Sequence, residues 1–179
     1  LHVQAPEATM MGIKDTIQDF TDLPATTKDG FTIKVTGDPG SSTDDYWLQH
    51  NNQNDQDVGE WVETVEPGLA NTIDPATMPI NMIRAAPDPW DDAFADDFGR
   101  PDFSISQIDW TDRIAGDLET APDPSFIGET INDISFHKNR FSFLANENII
   151  LSELGEFFNF YTTTATDLLD TDMIDLAAP

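Results

Sequence analysis

Apolar and polar residues alternate sharply in two regions of the chain and lose their period between them. Phe31-Thr32-Ile33-Lys34-Val35 alternates strictly, the period-2 pattern of a strand with one buried face. Gly37-Asp38-Pro39-Gly40 then marks a turn. Asp45-Tyr46-Trp47-Leu48-Gln49 and Gly59-Glu60-Trp61-Val62-Glu63-Thr64-Val65 predict two further strands, because aromatic and β-branched residues suit a pleated, half-buried surface. The polar loop Asn51 to Asp57 separates them, and the succession reads as a meander. After Pro124 the pattern returns in Thr130 to Phe136, Arg140 to Leu144 and Asn148 to Ser152. The linkers His137-Lys138-Asn139 and Ala145-Asn146-Glu147 are short enough for hairpins. Such an antiparallel run is the repeating unit of sandwiches and of propeller blades, and no internal repeat at a fixed period decides between them. Phe157-Phe158-Asn159-Phe160-Tyr161 follows as an aromatic segment.

Between these regions Pro67, Pro75, Pro79, Pro87, Pro89 and Pro101 each remove a backbone donor and restrict the preceding residue, so any helices there are short. Aspartates at 88, 91, 92, 96, 97 and 102 interleave with Trp90, Phe94 and Phe98, predicting a solvated acidic loop whose aromatic rings turn inward. Residues 1–30, with a short extended piece at Leu1 to Val3 and Phe20-Thr21-Asp22-Leu23-Pro24, read as a connector. The expected organisation is therefore a connector at 1–30, a β-rich region with an acidic, proline-rich loop at 31–122, and antiparallel hairpins at 123–179. The fold class is mainly β with few short helices.

Charge changes the picture most. Thirty-four Asp and Glu face 8 Lys and Arg, a formal net of −26. A surface of that sign repels phosphate, whereas nucleic-acid binders gain affinity by neutralising it, so sequence-specific DNA or RNA binding is excluded as a leading class. Anionic membranes are disfavoured on the same ground. A salty environment, solubility and divalent-cation binding remain as readings of the acidity, and salt comes first because it screens the self-repulsion that opposes folding. There are no cysteines, so disulfides, thiolate metal sites and thiol nucleophiles are absent. No apolar run approaches the roughly 20 residues of a membrane helix, and the start, Leu1-His2-Val3-Gln4, lacks the basic and apolar regions of a signal peptide. Both ends read as boundaries of a fragment.

Catalytic constellations are not visible. His2, His50 and His137 stand apart, with no HExxH helix and no ligand at metal spacing. No GxSxG elbow, phosphate loop or GxGxxG is present. Carboxylate pairs abound, yet a glycosidase needs two at a set separation with one pKa raised, which linear sequence does not reveal. Asp167-Leu168-Leu169-Asp170-Thr171-Asp172 and the stretch from Asp88 to Asp102 offer hard oxygen ligands for calcium but lack the Gly and terminal Glu of the 12-residue loop, so Asp167 to Asp175 reads as a solvated end. Arg113 beside Trp110, and Arg140 between Phe136 and Phe141, stand out because cations are scarce. Each can stack on a ring and clamp a carboxylate or carbonyl with its planar fork.

Several words of the sequence carry a resemblance. Trp110-Thr111-Asp112-Arg113-Ile114-Ala115-Gly116-Asp117, Pro122-Asp123-Pro124-Ser125-Phe126-Ile127-Gly128, Ile131-Asn132-Asp133 and Asn139-Arg140-Phe141-Ser142-Phe143-Leu144 resemble, in order and spacing, the tail tubular protein B family of short-tailed phages. The likeness continues through Glu147 to Ser152, Phe157 to Tyr161 and Asp172-Met173-Ile174-Asp175. Upstream it includes Gly30 to Asp38, Asp45-Tyr46-Trp47, Trp61 to Thr64, Thr77-Met78-Pro79 and Ile83-Arg84. Each word alone is weak, and the collinear succession is what counts. The resemblance implies an internal piece of a much longer nozzle protein, assembled as a ring of six beneath a tail adaptor and enclosing the DNA exit channel. It also implies a virion location, passage of DNA without specific binding, and a site where tail fibres can seat. It further implies a propeller-like domain, with a smaller β-rich, platform-type region beside it.

On this reading Trp47, Trp61, Arg84, Trp110, Arg113, Asp117, Pro124, Phe126, Gly128, Arg140, Glu147, Ser152 and Phe160 are fold or assembly determinants, with no enzyme activity and no cofactor expected. Trp90, Phe94, Phe98 and the Phe157 to Tyr161 segment are candidate assembly patches. Two rivals follow from the residues themselves. One is a calcium-dependent carbohydrate- or cell-surface-binding β module, and the other is a glycan hydrolase working through paired carboxylates.

Overall fold

A computed structural model describes residues 16–38, 40–41, 45–52, 59–84 and 103–177. The expected extended piece at Leu1 to Val3, the acidic stretch from Asp88 to Asp102 with its three aromatics, and most of the Asn51 to Asp57 loop lie outside the described residues. The described residues are mainly β, with one-turn 3-10 segments at Phe20–Asp22 and Pro75–Thr77. Two units divide the chain: one takes residues up to Asn71 with Arg113–Pro124 and Tyr161–Met173, the other Thr72–Asp112 with Ser125–Phe160 and the residues from Ile174.

The first unit holds a sheet in the order β1-β2-β3-β4, built from β1 (Thr16–Ile17), β2 (Thr32–Val35), β3 (Tyr46–Asn51) and β4 (Glu60–Thr64). The β2-β3-β4 meander is the one that the alternation predicts. The short β1, which the sequence pattern does not signal, pairs parallel to β2. Register explains the core. Ile33 lies opposite Leu48 and Val35 opposite Tyr46, so the apolar members of the alternation share one face. Ile33, Val35 and Leu48 are buried there, with Ile17, Leu23, Tyr46 and Trp61 packed against them. His50, opposite Trp61 in the register, is fully buried with its ring edge-on to the indole at 5.1 Å. Only glycine fits beside it, since a Cβ on Gly59 would come within 2.4 Å of the imidazole.

The second unit contains a two-stranded ribbon of β5 (Asn81–Arg84) with β6 (Phe103–Ser106), and a four-stranded sheet in the order β10-β9-β8-β7. The latter comprises β7 (Ile131–His137), β8 (Arg140–Ala145), β9 (Asn148–Leu151) and β10 (Ile174–Ala177), all antiparallel. Lys138 and Asn139 both have positive φ (48° and 61°), which gives the β7–β8 hairpin the backbone twist that suits flanking strands. Asn146, at φ 51°, makes the next turn. Phe143 and Ala145 of β8 and Ile150 of β9 face a shared core and are essentially inaccessible.

Candidate functional site

The sharpest arrangement of side chains in the first unit centres on Arg113, whose guanidinium is buried. Its backbone N–H donates to the Asn71 carbonyl at 2.7 Å, which anchors the segment. From there Nη1 donates to the Ala70 carbonyl at 3.1 Å, and Nη2 donates to Asp123 Oδ1 at 2.5 Å. The guanidinium plane lies over the Tyr161 ring at 4.7 Å, and the Tyr161 hydroxyl donates to the same Asp123 oxygen at 3.4 Å. Nε is buried without a partner. The fork thus clamps a carbonyl and a carboxylate, as the sequence suggests, but its stacking ring is Tyr161 and not the neighbouring Trp110. A cation so enclosed is a structural tie between three chain segments and is closed to a ligand.

A second cluster joins β2 to the turn after Gly116. Lys34 Nζ lies 2.9 Å from Asp45 and 3.7 Å from Asp117. Asp117 Oδ1 also accepts from the backbone N–H groups of Glu119 and Thr120 and from the Thr120 hydroxyl. Burial pushes the Asp117 carboxyl up, but those hydrogen bonds and the Lys34 charge outweigh it, leaving the pKa below the ordinary 3.8. The Asp45 hydrogen bond holds Lys34 above the ordinary 10.5, against a smaller loss from burial. The signs give two edges. Stability from Asp117 is complete above pH about 3.8 and is lost as pH falls through the lowered folded value. Stability from Lys34 is complete below about 10.5 and is lost as pH rises through the raised one. Urea midpoints measured against pH for the parent and Asp117→Asn should therefore run parallel from pH 5 to 9 and converge only at the acid end; curves converging near neutrality would contradict this cluster.

In the second unit the expected motif residues gather around an aromatic core. Trp110, Phe126, Phe143 and Phe160 are buried. Phe143 stacks on Phe160 at 5.2 Å and meets Phe126 at 5.0 Å, while Trp110 stands edge-on to Phe158 at 5.6 Å. Arg140 donates to the Ser152 carbonyl at 2.7 Å, and the Ser152 hydroxyl accepts from the Phe141 N–H at 3.0 Å, tying the start of β8 to the chain beyond β9. Gly128 has φ 79°, which only glycine adopts without strain, and ends the turn after Phe126. Glu147 is exposed in the β8–β9 turn and Arg84 is exposed on β5. In the first unit Trp47 lies under Lys34 at 6.0 Å, the Trp61 indole donates to the Pro24 carbonyl at 2.9 Å, and Pro124 is buried.

The acidic end proves more ordered than a solvated tail. Asp172 is buried and accepts from the Thr163 N–H and hydroxyl and from the Leu169 N–H. Asp175, on β10, accepts from the Ser125 N–H at 2.8 Å, from the Ser125 hydroxyl, and from Asn148 at 3.1 Å. Glu63 similarly accepts from Thr164, Ala165 and Thr166. These three carboxylates, which the sequence leaves unassigned or assigns to solvent, hold loops in place. Their donors lie far off in sequence or in a turn, so nothing local marks them.

The family model described as bacteriophage nozzle protein matches residues 4–179. Among characterised proteins, the chain is 34% identical over 160 residues to tail tubular protein gp12 of Escherichia phage T7. That alignment covers 89% of this chain and 18% of the phage T7 protein. The chain therefore spans under a fifth of the length of this relative.

Proposed function

Since the chain belongs to the bacteriophage nozzle protein family, we propose that it is a structural segment of a tail nozzle in the virion of a short-tailed phage, working as part of the wall through which DNA leaves. The observation that carries this reading is the family match, which covers residues 4–179. The side-chain arrangements support an architectural role. Arg113, Arg140, Asp172, Asp175 and Glu63 hold chain segments together.

Three features extend the proposal. First, the β7–β10 sheet is a sequential antiparallel meander that is apolar on both faces. One face bears the buried Phe143 and Ile150, and the other bears Ile149, Ile174 and Leu176, which are partly exposed. A propeller blade needs that composition, because neighbours cover it on both sides. Second, the net charge of −26 suits a conduit: carboxylates repel phosphate and keep a passing duplex from adhering. Third, a wall segment requires copies of itself, so a ring of six seated on a tail adaptor is the proposed assembly, with fibres as further partners. Among the described residues the rival calcium-dependent surface-binding module gains no support, since Asp172 and Asp175 are satisfied by donors of their own chain.

Light scattering and negative-stain imaging of the full-length polypeptide, alone and mixed with its adaptor ring, test the proposal. A six-fold ring or tube is the expected result. A persistent monomer that does not assemble on the adaptor would overturn it.

A further inference from the structure

The β5–β6 ribbon is amphipathic and exposed on both faces, its apolar face included. Antiparallel register places Met82 opposite Ile105 and Arg84 opposite Phe103, so these four side chains share one face, and Ile80 extends the row. Met82, Phe103, Ile105 and Ile80 are 63%, 55%, 62% and 62% exposed. The opposite face carries Asn81, Ser104 and Ser106 around Ile83. A soluble ribbon normally shows its polar side to water, and a hairpin of two strands is barely stable unless a third strand or a packed layer covers it. Among the described residues, each of these strands pairs only with the other.

We infer that this apolar face docks on a neighbouring copy of the same polypeptide in the nozzle ring, an inference that rests on the assembly proposed above. Charge selects the occupant. Arg84 sits within the apolar row, so the covering surface should offer apolar side chains and a carboxylate. Each copy of this chain carries 34 Asp and Glu against 8 Lys and Arg, so carboxylates far outnumber the cations that could pair with them. Nucleic acid supplies the anion but not the apolar cover, and an anionic membrane is repelled by the rest of the molecule. A ring neighbour meets both needs, and a head-to-tail contact of this kind closes a ring when the rotation between copies is right.

The test uses the full-length polypeptide carrying Met82→Glu with Ile105→Glu, Arg84→Glu, or Ser104→Glu as a control on the opposite face. Assembly, alone and on the adaptor ring, is followed by light scattering against concentration, and folding by circular dichroism. The expected result is that the double variant folds like the parent but needs at least tenfold more protein to form rings. Arg84→Glu should weaken assembly several-fold, an effect that shrinks with added salt, and Ser104→Glu should assemble as the parent does. Parent-like rings from the double variant, together with a lowered melting temperature, would show that the same polypeptide covers the face, which overturns the inference while leaving the nozzle intact. A parent that forms no ring, either alone or on its adaptor, would overturn both.

Discussion

Phe143→Ala is expected to lower the unfolding free energy by about 3–5 kcal/mol, the range for emptying a large aromatic side chain from a closed core. Phe143 has no accessible surface and sits where four rings meet: Phe126 and Phe141 lie edge-on at 5.0 and 4.9 Å, Phe160 is stacked at 5.2 Å and Trp110 is tilted at 5.9 Å. Because it lies on β8, paired on both sides by β7 and β9, the backbone cannot collapse into the space that the ring leaves. A loss of this size is a large share of the roughly 5–15 kcal/mol that stabilises a typical domain. Urea unfolding followed by tryptophan fluorescence measures it, since Trp110 reports on the same cluster. Phe136→Ala offers the contrast, because that ring is 60% exposed on the edge strand and should cost under about 1.5 kcal/mol. Equal losses from the two substitutions would mean that the aromatic cluster is not the core of its unit.

The legible parts of the fold were those in which one buried face imposes a period. At Phe31 to Val35 the alternation names the strand, its buried face and, through Leu48 and Tyr46, its partner. Around Lys138-Asn139 and Asn146 a short polar linker between apolar runs is enough to specify a hairpin. The ribbon is not legible in the sequence for the opposite reason. Ile80 to Arg84 follows Pro79, is short, and pairs with residues beyond a stretch that composition marks as a loop, so neither half signals the other. β10 is masked in the sequence because Ile174-Asp175-Leu176-Ala177 alternates at the end of an acidic run, whose composition is that of a solvated tail. Trp110, Phe126, Arg140 and Ser152, which lie in the family words, are buried, yet sequence does not say what each one touches. Arg113 is the clearest case. Its scarcity as a cation predicted a clamp, but Ala70 and Tyr161 lie 43 and 48 positions away and only the fold brings them to it.

Substitution of Arg113 should show how much such a tie contributes. Arg113→Ala is expected to cost about 3 kcal/mol, toward the lower end of the loss for breaking a buried pair, because Asp123 is 49% exposed and water reclaims its carboxylate. The larger share comes from the Ala70 carbonyl and the Tyr161 face, which lose a donor and a packed plane inside the unit. Arg113→Lys keeps the charge but offers a point cation in place of a fork, so it cannot hold the carbonyl and the carboxylate while lying flat on the ring, and it should recover less than half the loss. Arg113→Met should do as well as lysine or better. The Nε of the native residue already lies buried without an acceptor, and an apolar chain of similar length removes that penalty while keeping contact with Tyr161. A double-mutant cycle with Asp123→Asn, read by urea unfolding, completes the argument. A coupling near 1 kcal/mol fits an ion pair open to water on one side, whereas a coupling as large as the whole Arg113→Ala loss would make the carboxylate, and not the carbonyl and ring, the main partner.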